Sequence, residues 1–200
     1  MDIIMQKEGY GAHKMTLGAI EAVMLVLNAA DGKISGRTTI QKIVYFGTVQ
    51  NLVKAIYRPH YYGPYSAEVA DALQTVTSCH FVDEAMDTSD MKKGTDSFEW
   101  RRYTYSVNEE GNKVIDFLKT NSPKEIEGIR SLVSTCKSTA NLDPNILSWA
   151  AKVNYILNQE KRSMTDAEII NVADTLNWKL SGPRVEKGVR LLKNLNLVTG

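Results

Sequence analysis

Near the end of the chain four cations, Arg184, Lys187, Arg190 and Lys193, recur every three residues, and Lys179 precedes them. At about 100° per residue this spacing gathers the four on one side of a helix and Val185, Val189, Leu192 and Leu195 on the other. A row of guanidinium and ammonium groups of this kind neutralises phosphates and can reach base edges. Glu186 is the sole acid between Lys179 and Gly200. The second helix of a helix-turn-helix needs such a pattern, because one side must hold it to its domain while the other enters the major groove. The plainer reading is a solvated helix whose long side chains cover apolar surface and keep it soluble.

A weaker cationic set is Lys92 and Lys93 near the tip of an expected hairpin, with Arg101 and Arg102 on its return strand. Asp87, Asp90, Asp96 and Glu99 nearly cancel it. Glu68 and Asp71 present the opposite chemistry on the helix expected after Ser66, which carries no Lys or Arg and would repel a phosphate backbone. Together with the neighbouring Tyr62 and Tyr65 they suit a protein partner better. His13, His60 and His80 stand in no paired ligand spacing, so neither a metal nor another cofactor is expected. There is no glycine-rich phosphate loop and no nucleophile elbow, and the expectation is a binding protein, not an enzyme. Cys79 and Cys136 read as small buried hydrophobes inside helices.

These groups must be positioned by helices. Ile20, Val23, Met24 and Leu27 predict a first helix stopped by Asp31-Gly32; Thr38 and Gln41 form a candidate capping box for a second, from about Thr39 to Val53. Pro59 and Pro64 make Tyr57–Tyr65 an ordered aromatic loop. Ser66 then caps a third helix ending near Cys79. Phe81-Val82 and Phe98–Val107 read as two strands with a long tip. Helices follow from Asn108, from Ser122-Pro123-Lys124-Glu125 to about Cys136, and over Ile146–Asn158. A capping box at Thr165-Asp166-Ala167-Glu168 opens another, and Pro183–Leu195 is the last, with Leu197-Val198 beginning a strand. The turn Asn177–Gly182 is longer than that of an ordinary helix-turn-helix.

The net charge of +1 exerts no global pull toward nucleic acid, but it is unevenly spread. Residues 1–100 hold 9 Lys+Arg against 12 Asp+Glu, and residues 101–200 hold 15 against 11, so a nucleic-acid surface belongs in the second half. The longest apolar stretch, Ala19–Ala30, is interrupted by Glu21 and Asn28 and falls short of the roughly 20 residues a bilayer span needs. No secretory signal is read at the start, and the expected location is cytoplasmic.

Asp31-Gly32-Lys33-Ile34-Ser35-Gly36-Arg37, the run Ile40-Gln41-Lys42-Ile43-Val44-Tyr45, and Tyr62-Gly63-Pro64-Tyr65-Ser66 followed by Val69, Leu73 and Val76 resemble the YwgA-like proteins of bacteria and archaea. More distantly they are similar to the Panacea/SocA-like antitoxin-associated domain. The resemblance covers roughly residues 16–118 and implies a helical, winged-helix-like domain whose roles lean toward protein partners such as toxins. The tyrosine motif also has a purely structural reading, in which Gly63 turns the chain, Pro64 fixes the turn, Ser66 caps a helix and the rings pack.

The expected fold is mainly α with a minor α+β part. A winged-helix-like unit with a β-hairpin wing occupies 1–121, and an all-helical unit ending in a helix-turn-helix-like segment occupies 122–200. The expected function is DNA binding of a transcription-regulator kind through the basic last helix, as a homodimer on double-stranded DNA. The alternative is a protein-binding adaptor or antitoxin-like module acting through Tyr62, Tyr65, Glu68 and Asp71. No membrane partner is expected.

Overall fold

Six consecutive residues without a free charge, Ala22 to Leu27, give a helix that is apolar on every side, and such a helix belongs at the centre of a fold. In the computed structural model, which describes residues 4–5, 16–87 and 102–199, that helix is α1 (Ala19–Ala29), and all six residues are buried. The Glu21 carboxylate turns back to accept the Gly18 amide, tying down the first turn. Asp31 and Gly32, both at positive φ, turn the chain into a short strand, β2 (Lys33–Ser35).

The second helix, α2 (Arg37–Val49), starts before the expected Thr39, because Gly36 at φ 91° serves as its N-cap. It stops short of Val53, where Asn51 takes a left-handed φ of 55°. Gln41 does not close a capping box on Thr38; it faces inward, along with the whole run Thr39–Gly47, and bonds elsewhere. Ser66 Oγ accepts the Val69 amide at the head of α3 (Ala67–Ser78), as its sequence position requires. Cys79 lies just past that helix and is exposed, correcting the buried reading, whereas Cys136 is buried.

Strands β3 (Val82–Asp87) and β4 (Arg102–Val107) pair antiparallel, and β2 adds to the other side of β4, giving the order β2-β4-β3. Ile34 stands opposite Tyr105, and Val82 opposite Val107, with all but Val107 fully buried. The sheet therefore has three strands where the sequence indicated two. Three residues are too few to show alternation, so β2 left no periodic trace.

The remaining helices are α4 (Glu109–Asn121), α5 (Pro123–Ala140), α6 (Pro144–Glu160), α7 (Asp166–Thr175) and α8 (Gly182–Asn194). Asn108 caps α4, Asp143 caps α6, and Thr165 with Glu168 forms the reciprocal box that opens α7. Ser122 makes no such side-chain bond at α5, where Glu125 is buried, and that helix continues past Cys136 to Ala140. A last short strand, β5 (Val198–Thr199), pairs antiparallel with β1 (Ile4–Met5).

The protein is mainly α-helical with a small three-stranded antiparallel sheet. α1 packs on α3 and α5, α2 on α6, and α6 on α8, so one buried apolar cluster runs from Leu17 to Val198. Among the described residues no helix is long and apolar enough to cross a membrane.

Candidate nucleic-acid interface

α8 begins with Pro183 in its first turn, where the missing amide costs nothing. Its buried face is Val185, Gly188, Leu191 and Leu192, with Val189 at the edge. The stripe is thus turned from the expected line through Val189 toward Gly188. The cause is close backbone approach: a Cβ on Gly188 would stand 3.0 Å from the Ala150 nitrogen of α6. With that face fixed, Arg184, Lys187 and Arg190 are exposed, and Lys193 lies half-buried on the far flank near Glu186 on the helical wheel. Lys179, just before the helix, is exposed, and its carbonyl accepts from Arg184 Nη1 at 2.8 Å.

The flank holding Arg184 and Lys187 meets α6. The Arg184 guanidinium carbon lies 5.5 Å from the centroid of the Trp149 ring and Lys187 Nζ 5.9 Å from it, so one half-buried indole holds both cations. Lys152, three residues along the same face of α6, sits with Nζ 5.7 Å from the buried Trp178 ring. Burial and the neighbouring Arg184 charge both lower its proton affinity.

Trp178 connects this cationic flank to the aromatic loop, donating from Nε1 to the His60 carbonyl at 2.7 Å. Arg58 and Tyr65 exchange backbone bonds of 2.9 Å each, and Gly63, at φ 96°, donates to His60 at 2.8 Å to close the turn. From below, Lys42 Nζ donates to the Pro64 carbonyl at 2.6 Å, while Gln41 donates to the Ser66 carbonyl at 2.8 Å and accepts its amide at 3.1 Å. The Gln-Lys pair and the Tyr-Gly-Pro-Tyr-Ser motif are therefore two halves of one clamp. Lys42 is only 2% exposed; desolvation, helped by the Lys152 charge, brings its pKa down to about 7. Held in this way, the loop projects Tyr61, 70% exposed, and Tyr62, 41% exposed, with their rings edge to face at 4.9 Å.

Tyr62 and Tyr65, which the sequence grouped with Glu68 and Asp71, thus belong to a loop joined through Trp178 and Lys152 to the basic flank of α8. Glu68 and Asp71 lie on the outer face of α3, lining with Ile20, Glu21 and Lys54 an open groove of about 590 Å³. Lys92, Lys93 and Arg101 fall outside the described residues, and Arg102 pairs with Asp87 in the sheet register. Sequence reasoning missed Trp149, Lys152, Trp178 and Lys42. The i, i+3 spacing of Trp149 and Lys152 was the available signal; the other two show their role only when α6 meets α2 and α8. No protein-family model matches the chain, and no curated protein matches it.

Proposed function

We propose that the protein binds DNA in the manner of a transcription regulator, with the basic face of α8 against the phosphate backbone. The observation that carries this reading is a helix locked on α6 by its glycine and apolar face, leaving Arg184, Lys187 and Arg190 exposed. Lys179 and Lys152 extend the same positive flank. Rigid placement matters because cations already fixed in space lose less entropy on binding.

A winged-helix-like reading of the first half is supported by the order α1-β2-α2-α3-β3-β4 with strands arranged β2-β4-β3. Its third helix, α3, nonetheless offers Glu68 and Asp71 to solvent, so its role in this reading is to brace the aromatic loop, not to read DNA. The adaptor reading has its own support in the groove beside Glu68 and Asp71, with Ile20 and Ile56 exposed near it.

Binding to random-sequence duplex DNA at two salt concentrations tests the first reading. Each phosphate contact adds about −0.9 to the slope of log K against log salt. Changing Arg184, Lys187 and Arg190 together to Glu is expected to abolish low-salt binding or, where weak binding is left, to make its slope shallower by about 3. Salt-sensitive binding that survives the triple change overturns the assignment to α8. An absence of binding by the wild type favours the adaptor reading instead.

A further inference from the structure

An α-helix leaves its first amides without backbone partners, and a side chain at the N-cap or an acid in the first turn ordinarily answers them. At α2 neither is present. Gly36, the N-cap, has no side chain to offer, and the first turn, Arg37-Thr38-Thr39, holds no acid. The turn into the helix is nonetheless held firmly. The Gly36 amide donates to the Tyr103 carbonyl at 2.8 Å, and the Ser35 and Thr104 hydroxyls bond at 2.9 Å. Arg37 donates from Nε to the Tyr105 hydroxyl at 2.6 Å and from Nη2 to Glu84 at 2.9 Å.

A second, independent feature lies beneath this turn. Thr39 is 1% exposed, and its Oγ1 has no hydrogen-bond partner among the described residues. A buried hydroxyl left unpaired is costly, and a bound acceptor would relieve that cost. The oxygen stands 3.7 Å from the point that a Cβ on Gly36 would occupy. Apart from Gly36 itself and its neighbours Ser35 and Arg37, no other atom of the described residues comes within 4 Å of that point. The Thr39 hydroxyl is thus aimed at the place where a capping oxygen is missing. An oxygen supplied there from outside accepts from the first-turn amides and from Thr39 together, in the positive field of the helix N-terminus and beside the exposed Arg37.

We infer that the N-terminus of α2 is a binding site for the phosphate group of a small ligand, with Thr39 Oγ1 donating to it. The neighbouring strand β3 carries Asp83, Glu84 and Asp87, and this density of acid repels the continuous charge of a nucleic-acid backbone. A single phosphate is spared most of that repulsion, because Glu84 is already engaged by Arg37 and Tyr105. The inference is independent of the reading of α8.

Titration of the isotope-labelled full chain with inorganic phosphate, against sodium chloride of matched ionic strength, tests it through the amide resonances of Arg37 to Ile40. Saturable shifts in the phosphate series alone are expected, with a Kd on the order of 1 mM. Thr39→Val keeps the shape of the side chain and removes the unpaired hydroxyl. It is expected to fold with an undiminished thermal midpoint and to bind phosphate about tenfold more weakly. Thr39→Ser keeps the hydroxyl and is expected to hold the affinity within about threefold. The triple Glu variant of Arg184, Lys187 and Arg190 is expected to bind phosphate as the wild type does. Shifts that chloride reproduces, an affinity unchanged in Thr39→Val, or a loss in the α8 variant overturns the inference. A lowered midpoint in Thr39→Val also overturns it, because the hydroxyl then has its partner within the fold. Weakening of duplex DNA binding by Thr39→Val, in the same ratio as for phosphate, overturns the assignment to a small ligand.

Discussion

Lys42 places an ammonium where water scarcely reaches, with one carbonyl accepting its hydrogen bond and another lysine nearby. Its folded pKa of about 7 lies below the value of roughly 10.4 that the unfolded chain would give it. Between those values the unfolded state holds the extra proton, so the contribution of this site to stability rises with pH from about 7 upward and is smallest below 7. The buried Cys136 thiol, pushed up to about 12, works the other way above roughly pH 8.5, where the unfolded thiol ionises first. A comparison with Lys42→Met separates the two. From about pH 6 to about pH 9, urea unfolding is expected to show the wild type gaining about 2 kcal/mol relative to that variant. A difference that stays flat with pH would mean the amine keeps its proton in the fold. At Gly63 the constraint is conformational. An alanine there must adopt φ near 96° and push its Cβ to 3.0 Å from Lys152 Cγ, so Gly63→Ala is expected to cost about 2 kcal/mol, seen as a lowered thermal midpoint. Neither effect could be read from residue types alone. Gln41 and Lys42 look like two polar interruptions of an apolar stripe, and only the meeting of α2 with the loop turns them inward.

Among the elements, α8 shows what a helical wheel captures and what it loses. The wheel placed Arg184, Lys187 and Arg190 away from the apolar side, and the structure leaves all three exposed. It drew the buried line through Val189, because a glycine has no apolar side chain to count, yet Gly188 is where α8 comes closest to α6. Gly188→Ala sets two effects against each other. Helix propensity favours alanine by about 1 kcal/mol, whereas a Cβ 3.0 to 3.1 Å from backbone atoms of Ala150 and Trp149 forces the helices apart, typically at about 1–3 kcal/mol. Because the neighbouring atoms are backbone and cannot rotate aside, the net result is expected to be destabilising by about 1 kcal/mol in urea unfolding. Stabilisation would show that the two helices separate freely. Caps were the most legible features: Ser66, Asn108 and Thr165 act as their spacing indicated. Ser122 did not: its side chain makes no cap bond, and Glu125, the partner its box required, is buried. The strand β2 escaped notice because its pairing partner is about 70 residues away and its own length is three.

At the scale of the whole molecule, the two halves that the sequence separated near residue 121 contribute to one buried cluster, with α1 on α5 and α2 on α6. Shared burial couples their unfolding. Calorimetry is expected to give one endotherm whose van't Hoff and calorimetric enthalpies agree, and two resolved transitions would contradict a common core. Which helices meet across such a core is a long-range property that local periodicity does not carry, so the tie between the aromatic loop and the segment before α8 left no trace in the sequence. The structure joins them through Trp178. The same geometry makes the tryptophans unequal as light emitters. Trp149 is half-buried beneath the two cations of the basic flank, while Trp178 is sealed inside. With Trp100 replaced by Phe, Trp149 and Trp178 remain, and a change in colour and yield over the background of the sealed Trp178 becomes an internal gauge of whatever neutralises Arg184 and Lys187, readable in solution without any attached dye.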